Sequence, residues 1–242
     1  GSQFLRFGEN GPESVFEIQY SNQSNWYDWG CAHCSEGNYA IIMNGPRGWS
    51  GPEYAQGWSF NVPTEEFYNS FEEGDSRRDA TVLDIEAFAA ATGSSYTEGY
   101  DHTGYFNNKY IPRAGESGGQ TELNYLTNFR IIRYSDVLLM AAEAYNRGGI
   151  DDGLAQEFLN QVRRRAFGDD DHDISASGTA LTDAIWEERK FELSLEGHRF
   201  FDLVRTGRAS SLIPGFVEGK HEVFPIPQQE IDISGLTQNA GY

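Results

Sequence analysis

The chain has 242 residues, 38% of them hydrophobic, and its 18 basic against 37 acidic residues leave a net charge of −19. That length can build one sizeable core, alone or beside a loop-rich lobe, and 27 glycines point to much irregular surface. The acidity argues against nucleic acid or anionic lipid as partner, since both need basic surface; a neutral sugar polymer or a cationic ligand remains open.

Glu13–Ser21 reads ESVFEIQYS, where Phe16, Ile18 and Tyr20 alternate with Val15, Glu17 and Gln19. This predicts a short strand with one apolar face. The following NQSNWYDWGCAHCSEGN, residues 22–38, has no periodicity and carries Trp26, Tyr27 and Trp29. With no core face to receive them, at least one of these rings is expected in solvent. Cys31 and Cys34 read as a local disulfide in an oxidising compartment; the alternative is a metal held with His33, although no second ligand pair is present.

Tyr39–Met43 is a short apolar segment, a strand or the start of a helix. Next, NGPRGWSGPEYAQGW is broken by Gly and Pro and brings Trp49, Tyr54 and Trp58 into a second loop. Thr64 caps a helix with a Phe67/Phe71 stripe. Residues 93–120 are rich in Gly and Ser and read as mobile.

From Phe129, apolar residues fall at Ile131, Tyr134, Leu138, Ala141 or Ala142, and Tyr145, which predicts one long amphipathic helix ended by Gly148-Gly149. Asp151 or Asp152 caps a second, with a stripe of Leu154, Phe158, Leu159 and Val162. A third starts near Thr179 or Thr182 and carries Ile185, Trp186 and Leu193; Gly197 breaks it before a short helix with Phe200, Phe201, Leu203 and Val204. Such hairpins cannot cover their own stripes and must stack. The tail is mostly loop, with Pro225 and Pro227 spaced against a regular helix. No apolar run approaches the roughly 18 residues of a membrane span.

The phrases VFEIQYS, GWSFNVPTEEFYNSFEEGDSRRDAT, RYSDVLLMAAEAYNRGG, LNQVRRRA, IWEERKFELSLEGHRFFDLVRTGR and VFPIPQQEIDIS…GLTQNAGY occur in order across nearly the whole chain. Together they resemble the C-terminal half of the SusD/RagB family, surface glycan-binding lipoproteins of the Bacteroidota outer membrane. The resemblance implies a mainly α fold of tetratricopeptide-like helical hairpins plus a loop-rich lobe with a few short strands. It divides the chain into a ligand-binding lobe at 1–120, hairpins at 121–210 and an extended tail at 211–242. It implies that Asp75, Arg77, Arg78 and Asp79 form structural ion pairs at the helical core, and that TGYFNNKYIPR is a strand leading back to the helices. It also implies a partner, a SusC-like TonB-dependent transporter, with the protein as a lid that delivers oligosaccharide. Family chains are about twice as long and begin with a signal sequence and a lipidated cysteine; Gly1-Ser2 reads as an expression scar, and membrane association would come through that missing N-terminal anchor.

Sugar rings have apolar C–H faces and polar rims, so a protein grips them with stacked aromatics and hydrogen-bonding side chains. The two aromatic loops supply both: Trp26, Tyr27, Trp29, Trp49 and Tyr54 for faces, and Asn25, Asp28, Asn44 and Arg47 for rims. These residues are the expected glycan site, weighed against the reading that the rings plug the lobe's own core; Trp58 reads as structural. Two rival functions are a helical-repeat protein-interaction module without glycan binding and a glycoside hydrolase. Glu187, Glu188 and Glu192 could supply a hydrolase's carboxylates, but Arg189, Lys190, Arg199 and Arg205 lie among them and read as ion-pair partners. The histidines show no metal spacing, His172 in DDDHD reads as part of an acidic solvent loop, and no cofactor, phosphate or nucleophile motif is present.

Overall fold

The computed structural model describes residues 2–23, 31, 34–117 and 124–242. The elements in chain order are β1 (Ser14–Ile18), α1 (Ala40–Met43), β2 (Arg47–Ser50), α2 (Glu65–Asn69), α3 (Arg77–Thr81), β3 (Val82–Asp84), α4 (Ile85–Thr92), β4 (Ser95–Thr97) and β5 (Tyr105–Asn107). There follow β6 (Phe129–Arg133), α5 (Tyr134–Arg147), α6 (Asp152–Phe167), α7 (Gly178–Glu192), α8 (Arg199–Arg205), α9 (Ala209–Leu212) and α10 (Gln228–Ser234). The chain divides into two compact units, Gly1–Glu196 and Gly197–Tyr242. Among the described residues no helix is long and apolar enough to cross a membrane.

The helical core of the first unit is α5, α6 and α7. The Asp151 carboxylate accepts the Leu154 N–H at 3.0 Å and caps α6, and Gly168 ends it at φ 87°, a left-handed turn that glycine makes without Cβ strain. Leu138, Leu139 and Ala142 of α5 meet Ala155, Leu159 and Val162 of α6 and Leu181 and Ile185 of α7. Each buried Leu or Ile here contributes about 1.5–3 kcal/mol. Leu154, which the spacing puts on the stripe, stands 42% exposed in the first turn of α6, and Ala155 takes the inward position.

The helix expected from Phe129 begins only at Tyr134. Residues Phe129–Arg133 are β6, antiparallel to β1 with Glu17 opposite Arg130. The face of β1 is also the reverse of the expected one. Phe16 and Ile18 are exposed, and Glu17 is buried. The interior side of this ribbon is charged: Arg130 Nε lies 3.6 Å from Glu17, and the Glu17 carboxylate accepts from Asn128 Nδ2 at 3.0 Å.

That charged interior continues into α7. Arg133 donates to Glu192 at 2.8 Å and Glu196 at 2.7 Å, Lys109 to Glu196 at 2.7 Å, and Arg163 to Glu188 at 2.8 Å. Arg77 pairs with Asp75 at 2.6 Å and also with Glu188, while Arg78–Asp79 is a pair near solvent at 2.9 Å. One network thus ties the β1–β6 ribbon, the turn before α3 and the helices together.

The lobe is held by two small cores. Ile41 and Ile42 of α1 pack with Phe4, Tyr110 and Tyr125. Tyr54, Leu83, Ile85, Phe106 and Ile111 form the other. Within residues 93–120, expected to be mobile, two strands are paired: β4 with β2, and β5 with β3.

In the second unit, Phe200 of α8 packs edge-on to Phe201 at 5.7 Å and tilted against Phe216 at 6.4 Å. The tail is not all loop: α10 starts immediately after Pro227, whose missing N–H costs nothing at a helix start.

Candidate functional site

Asn25, Trp26, Tyr27, Asp28 and Trp29, and with them His33, lie outside the described residues. At the end of that stretch Cys31 and Cys34 are joined in a disulfide, with their Cα atoms 5.4 Å apart.

The second aromatic loop carries Trp49 and Tyr54. Trp49, on β2, is half-buried, with its ring 5.9 Å from Tyr54 and 5.9 Å from Phe88. Its indole N–H is buried and has no acceptor among the described residues. Tyr54 is a correction: it is 6% exposed, donates its hydroxyl to Asn108 Oδ1 at 3.4 Å, and lies under the Arg113 guanidinium at 5.3 Å. Burial pushes its phenol pKa up. Such a ring has no face left for a ligand.

Asn44 is a second correction. It is buried, its amide donates to the Tyr110 carbonyl at 3.0 Å, and its Oδ1 accepts from Asn61 at 3.3 Å. A side chain committed to cross-linking the loop has nothing to offer a sugar rim. Arg47, by contrast, is exposed. Its Nε donates to the Trp58 carbonyl at 2.8 Å and its guanidinium sits 5.8 Å from the Phe60 ring centroid. Trp58 itself is half-buried against the Ile41/Ile42 core, in keeping with a structural role.

Sequence reasoning passed over two exposed aromatics here. Phe60 is 53% exposed and Tyr100 is 91% exposed. Their only signal is that each sits in a stretch without apolar periodicity, beside residues that favour turns.

The carboxylates of α7 are not a hydrolytic pair. Glu188 is held between Arg77 and Arg163, and Glu192 between Arg133 and Arg165. Both are almost fully buried. Only Glu187, with Lys190 at 2.6 Å, forms the solvent-side pair expected along the helix. A cleft of about 250 Å³ opens at this network, lined by Arg77, Lys109, Arg165 and Glu192 among others. Every one of those charges already faces an opposite one. His172 stacks on Phe167 at 3.9 Å and meets Asp169 at 3.1 Å. Among the described residues no three His, Cys, Asp or Glu converge on a metal-sized site.

The sequence profile of the SusD family matches residues 12–214. The chain belongs to the SusD family. The SusD-like protein P2 of Formosa agariphila is 29% identical, over 95% of this chain and 48% of that protein. Among solved structures, a laminarin binding SusD-like protein is 38% identical with a TM-score of 0.87, covering all of this chain and 52% of that one. Surface glycan-binding protein A from Bacteroides thetaiotaomicron, in complex with laminarihexaose, is 35% identical with a TM-score of 0.87 over 98% of this chain and 54% of its own. The chain thus spans about half the length of the SusD relatives it matches.

Proposed function

We propose that this chain is the glycan-holding portion of a non-catalytic SusD-type protein at the outer-membrane surface. It retains oligosaccharide and passes it to a SusC-like TonB-dependent transporter. The observation that carries this reading is the likeness, over the whole chain, to a protein named for laminarin binding. In support, Glu188 and Glu192, two of the three carboxylates weighed for a hydrolase, are locked in buried ion pairs. The ligand is a neutral glucan, in keeping with the net charge of −19, which repels polyanions.

The site combines Asn25, Trp26, Tyr27, Asp28 and Trp29 with Trp49 and Arg47. Aromatic rings take the sugar faces, and the amide, carboxylate and guanidinium groups take the hydroxyls. The Cys31–Cys34 bridge follows the first five closely in sequence.

The test is affinity electrophoresis through laminarin and a panel of other polysaccharides, with a reducing-sugar assay on the same samples. Retardation without released sugar supports the proposal. Released sugar, or no retardation by any glycan, overturns it.

A second reading rests on α5. Tyr134, Val137 and Met140, spaced three apart, are 49%, 36% and 45% exposed. An apolar row on a helical hairpin suits a protein partner. A chain that captures a SusC-like transporter but no glycan would favour this reading over the first.

A further inference from the structure

Phe60 is an apolar ring half in water, and the backbone is arranged to keep it there. Both its neighbours are non-glycine residues in the left-handed region, Ser59 at φ 59° and Asn61 at φ 53°. Such conformations are strained and persist only where the surroundings impose them. The surroundings do so through four backbone hydrogen bonds to the segment before β2. Gly57 N–H donates to Pro46 at 2.8 Å, and Trp58, Ser59 and Phe60 donate to Ile42, Gly45 and Met43, each at 2.9 Å.

The side chains around it add a polar rim. Arg47 braces the ring from 5.8 Å, fixed through its Nε to the Trp58 carbonyl. Unlike most basic residues of the first unit, it forms no salt bridge among the described residues. The turn after β4 closes on the same point. A Cβ on Gly99 would fall 2.8 Å from Ser59 Cβ, so only glycine allows that approach, and the next residue, Tyr100, projects into solvent.

We infer that Phe60, with Arg47 and Tyr100, forms a pyranose-stacking position separate from the 24–29 loop, where one ring of a neutral glucan lies on the Phe60 face and donates its hydroxyls to, or accepts from, the rim. This rests on the glycan-binding reading above. A single flat ring fringed by polar groups fits one sugar unit better than the broad apolar patch a protein partner needs. Arg47 precedes Trp49 by two residues across the irregularity of β2 at Gly48, at most about 7 Å, so a glucan chain seated at Trp49 reaches Phe60 within a unit or two.

The test is calorimetric titration of the chain, and of Phe60→Ala and Phe60→Leu, with laminarihexaose. Each substitution should weaken binding roughly five- to tenfold, Leu included, because it keeps the apolar volume but loses the flat face. Since Phe60 is exposed, circular dichroism should show both variants folded. Wild-type affinity in either variant overturns the inference and leaves the wider reading standing. No binding by the parent chain, with no retardation by any glycan of the electrophoresis panel, overturns both.

Discussion

Arg133 and Glu196 face each other as a bidentate pair, Nε to Oε2 and Nη2 to Oε1, each at 2.7 Å. Lys109 reaches the same carboxylate at 2.7 Å. Glu196→Ala would take its paired carboxylate from buried Lys109 and one of several from Arg133, which costs about 3–5 kcal/mol. Glu187→Ala breaks only the solvent-side pair with Lys190 and should cost under about 1 kcal/mol. Urea unfolding of the two variants measures the contrast; equal losses would contradict it.

The same network sets an acid limit. Burial acts against ionised Glu192 and Glu196, but the charges of Arg133, Arg165, Arg77 and Lys109 around the first, and of Lys109 and Arg133 around the second, outweigh it. Both carboxyls are held below the ordinary 4.5. A carboxyl depressed in the folded state contributes stability above its unfolded pKa and loses it as pH falls through the folded one. Glu188 works the other way, because burial there outweighs Arg77 and Arg163. Two depressed groups against one raised predict a melting temperature that declines below about pH 4.5. Glu196→Gln should flatten that decline in thermal scans from pH 7 to pH 3.

Core and site aromatics should separate by their effect on stability. Tyr54 is buried against Trp49 and Phe88, so Tyr54→Ala should cost about 3–5 kcal/mol. Phe60→Ala, at an exposed position, should stay within about 0.5 kcal/mol. Chemical denaturation distinguishes them.

Gly57 is the closest backbone approach that positions Phe60. A Cβ there would lie 1.8 Å from the Asn44 carbonyl oxygen. Gly57→Ala must push the 57–61 segment away from residues 42–46, at about 1–3 kcal/mol. The expected readout is a lowered denaturation midpoint together with weaker laminarihexaose binding. An unchanged midpoint would contradict the close packing.

The hairpins were legible because three signals agree there: the Asp151 cap, the glycine stops, and a stripe that meets its partners at Leu138, Leu159, Val162 and Ile185. The ribbon before them was not. Alternation in β1 identifies two faces but not which is inside, and here Glu17 is drawn inward by Arg130, a partner more than a hundred residues away. Ile131 fell on a helical spacing by coincidence; it lies in β6 at the bulge between Arg130, opposite Glu17, and Ile132, opposite Phe16. In the aromatic loops no period exists to sort rings. Tyr54 went inward and Phe60 outward because of hydrogen bonds between distant backbone segments, and composition carries no trace of these. Arg47, chosen for its chemistry, is exposed.

If the proposed function holds, loop aromatics grip carbohydrate while the charged helical half only supports them. The direct measurement is laminarin affinity electrophoresis of Trp26→Ala and Trp49→Ala beside the parent chain. Lost retardation in both, with folding retained by circular dichroism, is the predicted result; retardation equal to the parent's in both would contradict it.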